Sequence, residues 1–210
     1  MWSLPDTPEV VSSLGNLITA GAAFWAAYTA ARGLTSWKKE KNWERNTRLS
    51  EEMMVLLYRR RDALVALRNA PGFVGPSETT LSGEVIDDPE MKFFWSLVKY
   101  YEEKIDALNM VRAELYERRF LAEIRWGNEL ETELKNLDDF EQRTITEARR
   151  YLRSENPNSD PRLRDAALST LKREVLYQDF ETDDPFGKEY STVFDRSLNL
   201  LKRKLVEAGG

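Results

Sequence analysis

Apolar residues recur along this chain with helical spacing. Leu49, Met53, Leu56, Arg60, Ala63 and Leu67 follow one another at spacings of four and three, with Met54, Leu57 and Leu64 widening the apolar face. Phe94, Leu97, Tyr101, Ile105, Leu108, Val111 and Leu115 keep a near-heptad stride. After Trp126 the stripe resumes through Leu130, Leu134, Leu137, Ile145, Ala148 and Leu152. A last run comprises Phe186, Tyr190, Val193, Phe194, Leu198, Leu201 and Leu205. No alternating run is long enough to specify a strand. The pattern predicts an all-α fold. A helix over 49–69 packs antiparallel on a long helix that starts at Pro89, and shorter helices follow over 161–177 and 185–207, giving a hairpin or bundle of long helices.

Helix starts are marked by a capping residue followed by proline: Thr7-Pro8, Asp88-Pro89, Asp160-Pro161 and Asp184-Pro185. Thr or Asp accepts the orphan amide hydrogens, and proline at the first helical position sacrifices no hydrogen bond. Gly127 interrupts the long second helix. An interior glycine costs about 1 kcal/mol relative to alanine, so a kink or a break is expected there. Residues 71–88, rich in Gly, Pro, Ser and Thr, read as a loop long enough to be functional or mobile.

Before the first bundle helix lies a run without charge, residues 10–31. As a helix it would measure about 33 Å, close to the thickness of a bilayer core. Its large residues are Val10, Val11, Leu14, Leu17, Ile18, Phe24, Trp25 and Tyr28, and the rest are Ala, Gly, Ser, Asn or Thr. No Lys or Arg precedes it, which argues against a signal peptide. Arg32, Lys38, Lys39, Lys41, Arg45 and Arg48 follow it, outnumbering Glu40 and Glu44. Length and flanks favour a transmembrane helix over a buried core helix. The expected organisation is an N-terminal segment and transmembrane helix over 1–34, a basic juxtamembrane segment over 35–48, and a cytoplasmic helical bundle over 49–210.

By the positive-inside rule the N-terminus lies outside. Trp37, Lys38, Lys39, Lys41 and Trp43 are the candidate membrane-interface residues, facing a bilayer with anionic headgroups. Ala22, Ala26 and Ala30 form a small-residue ridge for close helix approach. Asn16 and Thr19, with Ser12, share a polar face that needs a partner in lipid. Self-association of the span is therefore expected.

Composition narrows the chemistry. The 210 residues include no cysteine and no histidine, which removes thiolate chemistry and the commonest general base and metal ligand. Net charge is −5, and the acidic body argues against nucleic acid. Glu114, Glu117, Glu123, Glu129, Glu131 and Glu133 cluster in sequence. The di-metal bundle design pairs such glutamates with histidine, so they read as a solvated face laced with Arg118, Arg119 and Arg125. Arg60, Arg61 and Arg68 could grip phosphate, but ion pairs with acidic partners on the second helix are the favoured reading. No catalytic residue, cofactor or metal is assigned, and no enzyme is expected.

Trp37-Lys38-Lys39, Tyr58 before "RDALVALRNAP", "AEIRWG", and "DPFG" before a terminal helix resemble uncharacterised bacterial single-span membrane proteins with a cytoplasmic helical domain. Ala70, between Asn69 and Pro71, departs from that pattern. The resemblance covers most of the chain and implies a bacterial inner-membrane setting. It carries no assigned activity. The expected function is a membrane-anchored interaction or scaffolding protein that self-associates and binds a cytoplasmic protein partner. The alternative is an oligomeric pore-forming or membrane-disrupting effector, suggested by the weakly apolar span and its polar face.

Overall fold

A computed structural model describes residues 7–72, 75–178 and 184–207. Its elements are α1 (Thr7–Arg68), α2 (Pro89–Trp126), α3 (Glu129–Glu155), α4 (Pro161–Ser169), α5 (Arg173–Leu176) and α6 (Pro185–Glu207). The architecture is all-α. Among the described residues the only β-type pairing is one isolated bridge, Thr79 with Val85.

Four helices make the bundle. The second half of α1 packs against α2 and α6, and α3 closes the ring against the same two helices. Polar pairs fix the directions. Arg125 Nη1 donates to Asn46 Oδ1 at 2.9 Å, Arg118 to Glu52 at 3.0 Å and Arg59 to Glu114 at 2.7 Å, so α2 runs antiparallel to α1. Arg203 meets Glu129 at 2.6 Å and Arg196 stands 3.6 Å from Glu133, so α6 runs antiparallel to α3. The core follows the predicted stripes. Met53, Leu57, Leu67, Tyr101, Leu108, Leu137 and Leu201 are fully excluded from solvent. Burying each such side chain contributes about 1.5–3 kcal/mol before conformational entropy is charged against it.

Three of the four cap assignments hold. Asp88 accepts from the Glu90 amide at 3.0 Å, Asp160 from Arg162 at 2.7 Å and Asp184 from Gly187 at 2.9 Å. At the fourth, α1 begins at Thr7, and the residue before it lies outside the described residues. Gly127 is a full break rather than a kink. Its φ of 75° suits glycine alone, and its amide closes on the Glu123 carbonyl at 2.9 Å. The helix expected over 161–177 divides into α4 and α5. Thr170 Oγ1 turns back to the Ala166 carbonyl at 2.8 Å, and the Glu147 carboxylate takes the Lys172 amide at 3.0 Å. Those contacts compete with a continuous helix.

The loop is anchored rather than loose over 75–88. Lys92 pairs with Glu78 at 2.6 Å, Lys99 donates to Thr79 Oγ1 at 3.0 Å, and Ile86 is buried.

The expected membrane span needs correcting. Residues 7–45 are helical as anticipated, and α1 continues without a break into the bundle. Yet among the described residues no helix is long and apolar enough to cross a membrane. The reason lies in the composition of the stretch, where alanine, glycine and small polar residues dilute the large apolar ones. Val10, Val11 and Leu14 are among its most apolar residues, and their side chains lie outside the described residues.

Candidate functional site: the exposed arm of α1

The first half of α1 projects from the bundle. At 1.5 Å per residue, residues 7–45 extend about 60 Å. Every residue from Gly15 to Arg45 is exposed. Among the described residues no tertiary packing supports the arm from Gly15 to Arg45, so its helicity there rests on propensity, with seven alanines between positions 20 and 31. Thr19, Thr29 and Thr35 fold their hydroxyls back onto the carbonyls of Gly15, Trp25 and Ala31 at 2.8–3.0 Å.

Side-chain size is segregated around the arm. At 100° per residue, Leu17, Ile18, Phe24, Trp25 and Tyr28 fall on one side. Phe24 is 75% exposed and Leu17 71%. Trp25 and Tyr28 stand ring to ring at 6.2 Å, and Arg32 lies 5.8 Å from the Tyr28 ring. The opposite side carries Ala22, Ala26 and Ala30, flanked by Asn16 and Thr19. The association residues anticipated from sequence thus share one broad face. Thr19 is satisfied within the helix, whereas the Asn16 amide makes no hydrogen bond among the described residues.

Next along the arm come Trp37, Lys38, Lys39, Lys41 and Trp43, all exposed. Trp37 is 55% exposed and Trp43 43%. Lys41 pairs with Glu44 at 2.6 Å, and that hydrogen bond holds the Glu44 carboxyl below its ordinary range. The other basic side chains of this segment up to Arg45 make no ion pair among the described residues.

No protein-family model, curated protein or solved structure matches this chain.

Of the bundle's arginines, Arg60 meets acidic partners on the long helix expected after Pro89, in the part beyond the Gly127 break, whereas Arg61 and Arg68 find other partners. Arg60, only 2% exposed, reaches across the bundle to α3. It holds Glu141 with two nitrogens and Asp138 Oδ1 at 2.6 Å. Burial opposes its charge, but Glu141 and Asp138 hold its pKa above the ordinary value. Arg68 ties α1 to Asp184 with two bonds of 2.9 Å and to the carbonyls of Glu174, Val175 and Tyr177. Arg61 lies over the rings of Tyr58 and Phe194. The three do not converge, so they form no common phosphate grip.

Of the six clustered glutamates, all but Glu123 are spent on ion pairs among the described residues. Glu117 meets Arg118, Glu131 meets Arg119 and Lys135, and Glu129 meets Arg203. Among the described residues no acidic group is arranged to hold a metal ion. Sequence reasoning missed a second cluster, Arg112 and Arg119 opposite Asp138. Its signal was available: two arginines one heptad apart facing carboxylates three residues apart at Asp138 and Glu141.

Proposed function

We propose that this protein is a membrane-anchored, self-associating helical interaction protein. Its bundle is a rigid module carried on the arm of α1, whose small-residue face meets other copies while its bulky face meets lipid. The observation that carries this reading is the arm itself, with Leu17, Ile18, Phe24 and Trp25 each about 70% exposed. An apolar surface of that extent is an interaction site rather than ordinary exposure.

Size segregation supports both occupants. Alanine ridges let helix backbones approach, and the Asn16 amide finds its partner on a neighbouring helix. A helix that turns one face to its own copies need not be apolar all round, which is consistent with an arm too dilute to span alone. In a bacterial inner membrane, Trp37 and Trp43 sit at headgroup level. Lys38, Lys39 and Lys41 each add about 1 kcal/mol of attraction to an anionic leaflet. The bundle is then cytoplasmic and the N-terminus outside, leaving the bundle surface for a protein partner.

The test uses the full chain with anionic phospholipid vesicles. The wild type is expected to float with the vesicles, resist alkaline carbonate and run as an oligomer in mild detergent. Phe24→Asp abolishes flotation. Ala26→Leu keeps flotation but weakens the oligomer. A chain that stays in the aqueous phase as a monomer refutes the reading. The polar Asn16 face also suits the lining of a pore. Vesicle conductance that Asn16→Leu abolishes would select that alternative, whereas an interaction protein keeps its assembly and conducts nothing.

A further inference from the structure

We propose that the cleft between α2 and α3, walled by Arg60, Arg112 and Arg119, binds a small organic phosphate. The cleft has a volume of about 380 Å³, within the range of small-molecule sites and larger than a bare ion needs. Leu115 and Leu134, both buried, contribute apolar surface. Tyr116 stands at the rim, 68% exposed, with Arg119 5.7 Å from its ring. Three guanidinium groups and one carboxylate, Asp138, line the space.

The arginines show where an anion is held. Arg60, Arg119 and Arg112 converge on Asp138 at 2.6, 3.5 and 3.6 Å. Arg60 is committed to Glu141, and Arg119 to Glu131. Arg112 is held more loosely: it makes no hydrogen bond among the described residues, and its ion pairs to Asp138 and Glu141 are long, at 3.6 and 3.4 Å, with its side chain 27% exposed. Its planar fork can turn from those contacts to two oxygens of a tetrahedral anion. Asp138 already supplies a monovalent carboxylate at this spot, so a ligand that displaces it has to carry more charge. A phosphate monoester does, and its organic part has Leu115, Leu134 and the Tyr116 ring to lie against.

The inference stands apart from the role of the arm. Arg60 lies about 25 Å along α1 from Trp43, the last residue placed at headgroup level, at 1.5 Å per residue. If the arm enters a bilayer, headgroups are out of reach and the phosphate is a dissolved one.

Calorimetric titration of the full chain in mild detergent tests this with phenyl phosphate, inorganic phosphate and benzoate as probes. Phenyl phosphate is expected to bind saturably, inorganic phosphate more weakly and benzoate weakest. Arg112→Gln weakens phenyl phosphate about tenfold or more and, because the ion pairs to Asp138 and Glu141 go with it, lowers thermal stability as well. Arg112→Lys, which keeps the charge but loses the fork, weakens phenyl phosphate while retaining more of that stability. Asp138→Asn tightens binding by removing the internal competitor. Absence of saturable binding at millimolar phenyl phosphate, unchanged affinity in Arg112→Gln, or benzoate binding as well as phenyl phosphate overturns the proposal. Competition by anionic vesicles would assign the site to lipid headgroups and overturn the dissolved ligand.

Discussion

Replacing Arg60 by methionine removes the cation from a carboxylate that has no access to water. Glu141 is 0% exposed and receives two of its hydrogen bonds from Arg60. Breaking a buried pair by deleting one partner costs about 3–5 kcal/mol. Arg112, already 3.4 Å away, can swing inward and offset part of the loss, so the expected cost lies near the lower end. Arg60→Met combined with Glu141→Met removes both charges, and buried pairs replaced by apolar side chains are often neutral within about 1–2 kcal/mol. A double-mutant cycle should therefore return a coupling of at least about 2 kcal/mol.

The pH dependence has a definite sign. Burial raises the Glu141 carboxyl above its ordinary range, and Arg60 and Arg112 pull against that rise. Without Arg60 the folded-state value climbs further. Ionisation of a group whose folded pKa exceeds its unfolded value, about 4.3 for glutamate, destabilises the fold as pH rises from one to the other. Below the unfolded value both states are protonated and this part of the cost vanishes. The Arg60→Met deficit should accordingly be small in acid and grow toward neutral pH. Urea unfolding of the full chain in mild detergent, followed by circular dichroism across pH, measures it. A deficit under about 1 kcal/mol at neutral pH, where loss of a buried partner should cost several, refutes the reasoning, as does a deficit that shrinks as pH rises.

Two further substitutions probe the joints of the bundle by the same unfolding measurement. Arg68→Lys loses the paired bonds to Asp184 and cannot reach the three backbone carbonyls at once, so a loss of at least about 2 kcal/mol is expected. Gly127→Ala forces a side chain onto φ 75° and should cost about 1–2 kcal/mol, although open space surrounds the position.

The helices were legible because core stripes and proline-marked caps state the same boundaries twice. Leu97, Tyr101, Ile105 and Leu108 are periodic in sequence and buried in space. The α4–α5 division was not legible, since it depends on Glu147 reaching the Lys172 amide across 25 positions. Pairing partners were equally hidden. Arg60 and Arg61 are neighbours in sequence, yet one enters the core toward α3 and the other lies on the Tyr58 and Phe194 rings. Only the circular order of the helices decides which carboxylate an arginine meets. At the arm, residue types pointed to lipid and to association, but averaging over the stretch concealed that large and small side chains occupy opposite sides.

The absence of any break in α1 between Thr7 and Arg68 makes arm and bundle one lever with a fixed phase. Removing a single residue from the solvent-exposed stretch 33–45 would turn the bundle by about 100° relative to the arm and draw it in by about 1.5 Å. Removing seven would shorten the lever by about 10 Å yet change its heading by only about 20°. A surface of the bundle that must face a particular direction is therefore registered by residue count modulo the heptad, not by the chemistry of the intervening side chains.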